Sequence, residues 1–137
     1  MKYMAASNKR GKRGGKAEHA ESFSDLVLAT MDLSIKVRDC CRAFNTHAIH
    51  APDVNQFAKC IRSCSELIEV TELVMFFINN RSENIKPALA LAITVVKSTL
   101  LECKPLESNE YNQQTVELCA EQFRLYQHAL TGLHRMV

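Results

Sequence analysis

The buried-type positions of this chain fall into four runs whose spacings alternate between three and four residues. Phe23, Val27, Thr30, Ser34, Val37, Cys41 and Phe44 make the first run. Phe57, Cys60, Cys64, Leu67, Thr71, Val74 and Ile78 make the second. Leu89, Ala92, Val96, Thr99 and Cys103 make the third, and Val116, Cys119, Phe123, Tyr126, Leu130, Leu133 and Val137 the fourth. A mean period near 3.5 marks helices that pack along one seam at a shallow angle. No stretch alternates with the period of two that a strand requires, so no strand is expected. Four such helices with short connections predict an all-α fold, an antiparallel up-down-up-down four-helix bundle.

Local signals set the expected bounds. Ser22 and Asp25 have capping-box-like spacing at the start of the first helix. Pro52 suits a first helical position, with Asp53 favourable in the turn that follows. Asn79 and Asn80 stop the second helix. Pro87 is tolerated near the start of the third, and Lys104-Pro105 ends it. Ser108 and Asn109 are both good caps for the fourth. The helices are thus expected over about 22–46, 52–80, 84–104 and 109–135, in one domain spanning 21–137. Leu28, Met31 and Ile35 flank the first seam and widen its apolar stripe, which suits contact with two neighbours or a homo-oligomer.

Composition sharpens this picture in two places. Residues 1–16 hold six of the seventeen basic residues and no acid, and Gly11, Gly14 and Gly15 oppose helix there. A flexible basic tail over 1–20 is expected. The eleven remaining bases face all fifteen acids, so the body is net acidic and a poor nucleic-acid binder. Nucleic acid is therefore an unlikely partner except through the tail. No run approaches the ~20 apolar residues of a membrane span, and no apolar segment follows the basic start as in a secretory signal. The expected compartment is the cytoplasm.

The second place is cysteine. Six are present. In a reducing compartment they point to metal or burial rather than to a disulfide framework. Stapling is not expected, because Cys40 and Cys41 are adjacent and Cys60 and Cys64 share one helix face. The topology then brings distant cysteines together. Cys41 lies late in the first helix, Cys60 and Cys64 early in the second, Cys103 at the end of the third, and Cys119 early in the fourth. In an up-down-up-down bundle those places share one end. At ~1.5 Å rise per residue the five thiols should fall within roughly 10–15 Å of height. Cys40 lies off the seam. His47 and His50 sit in the connection at the same end, where imidazole is a candidate metal gateway or outer ligand. Inward thiols have three uses, and spacing alone leaves all three open. They can fill a core as small hydrophobes. They can bind a soft metal as thiolates, Cu(I) foremost and Zn(II) second. They can also report redox state through an inter-helix disulfide.

Cys60-Ile61-Arg62-Ser63-Cys64, preceded by Ala58-Lys59, resembles the second helix of the cysteine-rich four-helix-bundle copper-storage proteins. Glu102-Cys103-Lys104 and Cys119-Ala120-Glu121 also look like that family's segments, and the similarity runs over about 23–133. The resemblance implies many Cu(I) ions along the bundle axis, held by inward cysteines on all four helices. This chain departs from that pattern at most positions. Leu67 and Thr71, then Thr30, Ser34 and Val37, then Ala92, Val96 and Thr99, then Val116, Phe123, Tyr126 and Leu130 stand where further cysteines would be expected. What the resemblance implies is therefore a cytosolic Cu(I)-binding or buffering protein of reduced capacity. Its ligands would be Cys41, Cys60, Cys64, Cys103 and Cys119, with copper ion as the partner. The alternative is a bundle that has lost the metal and acts as an interaction module. Catalysis is not expected. There is no Gly-rich phosphate loop, and Glu69, Glu72, Glu102, Glu117 and Glu121 fall off the seams a di-iron cluster would need.

Overall fold

The computed structural model describes residues 15–106 and 108–135, with side chains described from 24 to 134 apart from 107. Four helices carry the chain: α1 (Gly15–Ile49), α2 (Ala58–Asn79), α3 (Ile85–Cys103) and α4 (Glu110–Arg135). Among the described residues there is no strand. Single 3-10 turns precede α2 at Val54–Phe57 and follow α3 at Lys104–Leu106. Each helix packs on its neighbour in sequence, and α1 closes the ring against α4.

Side-chain pairings give the directions. Asn45 reaches Ser65 and Arg42 reaches Glu72, so the partner's number rises as α1 is followed backwards. Cys60 meets Cys103 and Thr99 meets the Ser63 carbonyl, which gives α2 and α3 the same antiparallel relation. Across the axis, Cys60 faces Asn112 and Thr71 faces Gln122, so α2 and α4 run parallel. This is the up-down-up-down bundle that the seams predict.

Several ends differ from expectation. α1 begins at Gly15, well before Ser22, and continues to Ile49. The segment after Gly15, Lys16 to Glu21, is rich in helix formers and carries the helix outward. The basic residues from Lys2 to Arg13 lie outside the described residues, as do the side chains of Phe23 and Val137. Pro52 and Asp53 lie in a turn and Val54–Phe57 form a 3-10 turn, so α2 starts only at Ala58. α2 does end at Asn79, with Asn80 as its C-cap, and the left-handed residue that follows is Arg81, at φ 51°. There Arg81 N–H donates to the Ile78 carbonyl and Ser82 N–H to the Phe77 carbonyl. These are the two reversed bonds of a Schellman cap, and they satisfy carbonyls the helix would otherwise leave open.

The burial pattern differs from the seams at one position and leaves one apolar flank uncovered. Leu28 is 64% exposed and Ile35 40% exposed, with Met31 half-buried, so the apolar flank of α1 is not covered within one chain. In α4 the residue on the axis is Gln122, while Phe123 is half-buried. An α-helix turns 3.6 residues, so a strict 3.5 seam drifts and one position slips to its neighbour.

Candidate metal centre

Cys41, Cys60, Cys64, Cys103 and Cys119 are all essentially inaccessible to solvent, and they lie at one end of the bundle. α1, α2, α3 and α4 each contribute. Two groups can be distinguished within the cluster. The sulfurs of Cys60, Cys64 and Cys103 all lie within 4.8 Å of one another. Cys41, Cys64 and Cys119, from α1, α2 and α4, lie near enough to shift one another's protonation. Cys64 thus has neighbours on both sides, Cys60 and Cys103 on one and Cys41 on the other.

Cys60 and Cys103 are joined as a disulfide, which corrects the expectation that no cysteine pair would be stapled. Adjacency in sequence was the wrong test. The antiparallel packing of α2 on α3 sets these two residues at one height with Cα atoms 5.2 Å apart, inside the range a disulfide spans. Cys40, Cys41, Cys64 and Cys119 are free.

The three neighbouring thiols are shifted in opposite directions. The Cys41 thiol is lowered to about 5, because Cys119 and then Cys64 donate to its sulfur, while burial pushes the other way. Cys64 and Cys119 are raised, first because each holds its proton toward Cys41 and then because burial disfavours their thiolates. A buried thiol whose thiolate form is favoured by its neighbours suits a soft cation. Cys40 is half-buried beside this group, with its sulfur 3.5 Å from Thr115 Oγ1. Burial raises its thiol, partly offset by that hydrogen bond.

A polar residue the seam pattern missed braces this end. Asn112 is fully buried, and its Nδ2 donates to the Cys103 carbonyl at 2.6 Å. Its Oδ1 lies 3.5 Å from Cys60 Sγ, a contact that becomes an S–H bond only when Cys60 is reduced. Asn109 Oδ1 caps α4 by accepting from the Tyr111 and Asn112 amides, which fixes Asn112 in place. Its signal was present: Asn112 lies seven residues before Cys119, two turns along the same face.

Below the thiols the axis is polar where the sequence resemblance would place more cysteines. Gln122 Nε2 donates to Thr71 Oγ1 at 2.9 Å, and Ser34 and Tyr126 hydroxyls form a short hydrogen bond. Ser34 also donates to the Thr30 carbonyl, and Thr99 to the Val95 carbonyl. Burial raises the Tyr126 hydroxyl, offset in part by Ser34, Gln122 and Thr71. These hydroxyls are hard, neutral groups and poor ligands for a soft metal. They bound the thiol cluster on its inner side. The far end is lined by hydrocarbon side chains. It holds an apolar cavity of about 340 Å³ among Leu26, Val27, Ile78, Ile85, Leu89 and Leu133.

At the outer side of the thiols lies an open recess of about 830 Å³, lined by Arg42, His47, His50, Asp53, Phe57 and Tyr111 among others. The His47 ring stacks on Tyr111 with centroids 3.9 Å apart. Both histidines are exposed. They stand at the mouth of the thiol-rich end and are not part of the sulfur cluster.

No helix among the described residues is long and apolar enough to cross a membrane. Searches among curated proteins and among solved structures return no match. The family described as Csp, copper storage protein, matches residues 25–130. That span takes in all four helices of the bundle and every cysteine of the cluster, and the chain belongs to the copper storage protein family.

Proposed function

We propose that this protein binds or buffers Cu(I) in the cytoplasm, at low capacity, through thiolates at one end of the bundle. The ligands are Cys41, Cys60, Cys64, Cys103 and Cys119. The observation that carries this reading is the burial of five cysteines from four helices at one end, three of them with sulfurs within 4.8 Å of one another, in a chain of the copper storage family. Cu(I) is satisfied by two or three thiolates, which this cluster offers within and between helices. Zn(II) prefers four ligands in a tetrahedron, so it is the weaker fit to groups of three. His47 and His50 serve as the gateway through which the ion passes between recess and core. The polar belt of Ser34, Thr71, Gln122 and Tyr126 ends the site, which accounts for a low capacity. The protein acts without catalysis. It self-associates through the uncovered apolar residues of α1, Leu28 and Ile35, a point that sedimentation velocity decides.

The test is a Cu(I) titration of fully reduced protein against a chromophoric chelator, with bound metal counted by native mass spectrometry. Retention of one to a few ions against the chelator is expected. Replacing Cys60 and Cys64 together with Ser removes most of it. A double variant that binds as much copper as the parent refutes the ligand assignment.

A further inference from the structure

The end of the bundle opposite the thiols holds a feature that copper binding does not use. The cavity there, about 340 Å³, is walled by residues of all four helices. Leu89 and Thr30 in its wall are fully buried, whereas Ile78, Ile85 and Leu133 are half-buried, so the cavity deepens toward the axis and opens at the bundle end. Its volume lies within the ~300–1,000 Å³ of small-molecule sites, which join a mostly apolar wall to a few polar groups. Thr30 is the one neutral polar side chain among the described lining residues, and its hydroxyl already donates to the Leu26 carbonyl at 2.7 Å. A water held inside would find few of the two to four polar partners it needs. The interior therefore suits hydrocarbon.

The charged residue of the wall is Arg81, which is exposed. The ion pairs among the described residues all involve Arg38 or Arg42, so Arg81 has no carboxylate partner there, not even Glu83 two residues on. Arginine is also an unexpected residue for this backbone. Arg81 closes the cap of α2 at φ 51°, a conformation that glycine adopts without the crowding a Cβ brings. The cap alone does not call for a guanidinium. Its place at the rim of an apolar cavity gives it a use, since the planar fork of donors matches the two oxygens of a carboxylate.

We propose that this cavity binds a single-chain carboxylate, a medium-length fatty acid in chemical class, with the alkyl chain inside and the carboxylate on the Arg81 guanidinium. The site lies at the end away from the cysteines, so its failure leaves the copper reading untouched.

The experiment is isothermal titration calorimetry of the metal-free full chain with hexanoate, octanoate and decanoate, below their micelle concentrations. One equivalent is expected to bind. Affinity should rise about fourfold per added methylene until the cavity is full. Arg81→Gly keeps a residue suited to the left-handed cap and removes the guanidinium. It is expected to weaken decanoate about fivefold at this exposed rim and to leave the affinity for decanol unchanged. Ala129→Leu, which adds bulk to the buried wall, should weaken decanoate more than hexanoate. Circular dichroism confirms that both variants are folded. No binding by the parent overturns the inference, as does affinity that does not depend on chain length. So does equal loss of decanoate and decanol in Arg81→Gly, which would mean that the residue only shapes the cavity. Binding that appears in Phe23→Ala but not in the parent also overturns it, because the chain itself would then be the occupant.

Discussion

Reducing the Cys60–Cys103 disulfide should cost the fold a calculable amount. The bond joins residues 43 apart in sequence, and so closes a loop over most of α2 and all of α3. In the chain-entropy account, closing a loop of that length removes about 13 cal/mol/K from the unfolded ensemble, or about 4 kcal/mol at 25 °C. For a domain of this size, urea unfolding has a slope on the order of 2 kcal/mol/M, so the midpoint should fall by roughly 2 M on reduction. The assay is urea denaturation followed by circular dichroism, on oxidised and phosphine-reduced protein without metal. The Cys60→Ala/Cys103→Ala variant is the control and should show no dependence on reductant. A midpoint shift in the parent below about 0.5 M, well under the chain-entropy value, would refute the reasoning. So would a reductant-dependent shift that persists in the variant. The result bears on function, because copper bound by the folded protein and not the unfolded chain adds stability in proportion to the logarithm of its concentration over Kd.

Other outcomes follow from the same geometry. With Cys41 lowered to about 5, its contribution to stability is lost as pH falls through that value and is fully present only above the ordinary thiol range. Cys64 and Cys119 are raised, so theirs is present below that range and lost as pH rises through it. Stability at fixed urea should therefore rise from pH 5 toward the ordinary thiol pKa and decline beyond it, and Cys41→Ser should flatten the rise. Leu67 is fully buried, and Leu67→Ala should cost about 2–5 kcal/mol in denaturant melts. Gln122 leaves its buried Oε1 without a partner, so Gln122→Leu loses one bond and also removes an unsatisfied acceptor. Its unfolding free energy should stay within about 1 kcal/mol of the parent's. Glu72 pairs with Arg42 at 2.7 Å on an exposed face, and Glu72→Gln should change stability by less than about 1 kcal/mol.

The four seams were legible because burial along a helix repeats faithfully, and they carried the topology that brought Cys41, Cys64 and Cys119 together. What periodicity could not carry was the choice between adjacent positions. Gln122 and Phe123 differ by one residue, and hydrophobicity favoured Phe123. The fold instead places Gln122 on the axis, where Thr71 across the bundle receives its hydrogen bond. Asn112 was missed for a similar reason: a buried polar residue is invisible to an apolar pattern until its partners are known. The Cys60–Cys103 link depends on the heights of α2 and α3, which the turn around Arg81 sets and which sequence spacing leaves open. Leu28 and Ile35 show the converse, since an apolar flank in sequence need not be covered within one chain.

The most direct test of the central claim is copper X-ray absorption spectroscopy on reduced protein loaded with Cu(I). A first shell of sulfur alone is expected, with the Cu(I) edge retained and the signal unchanged in a His47→Ala/His50→Ala variant. A first shell containing nitrogen or oxygen that disappears in that variant would place the metal in the outer recess, and would contradict a thiolate site in the core.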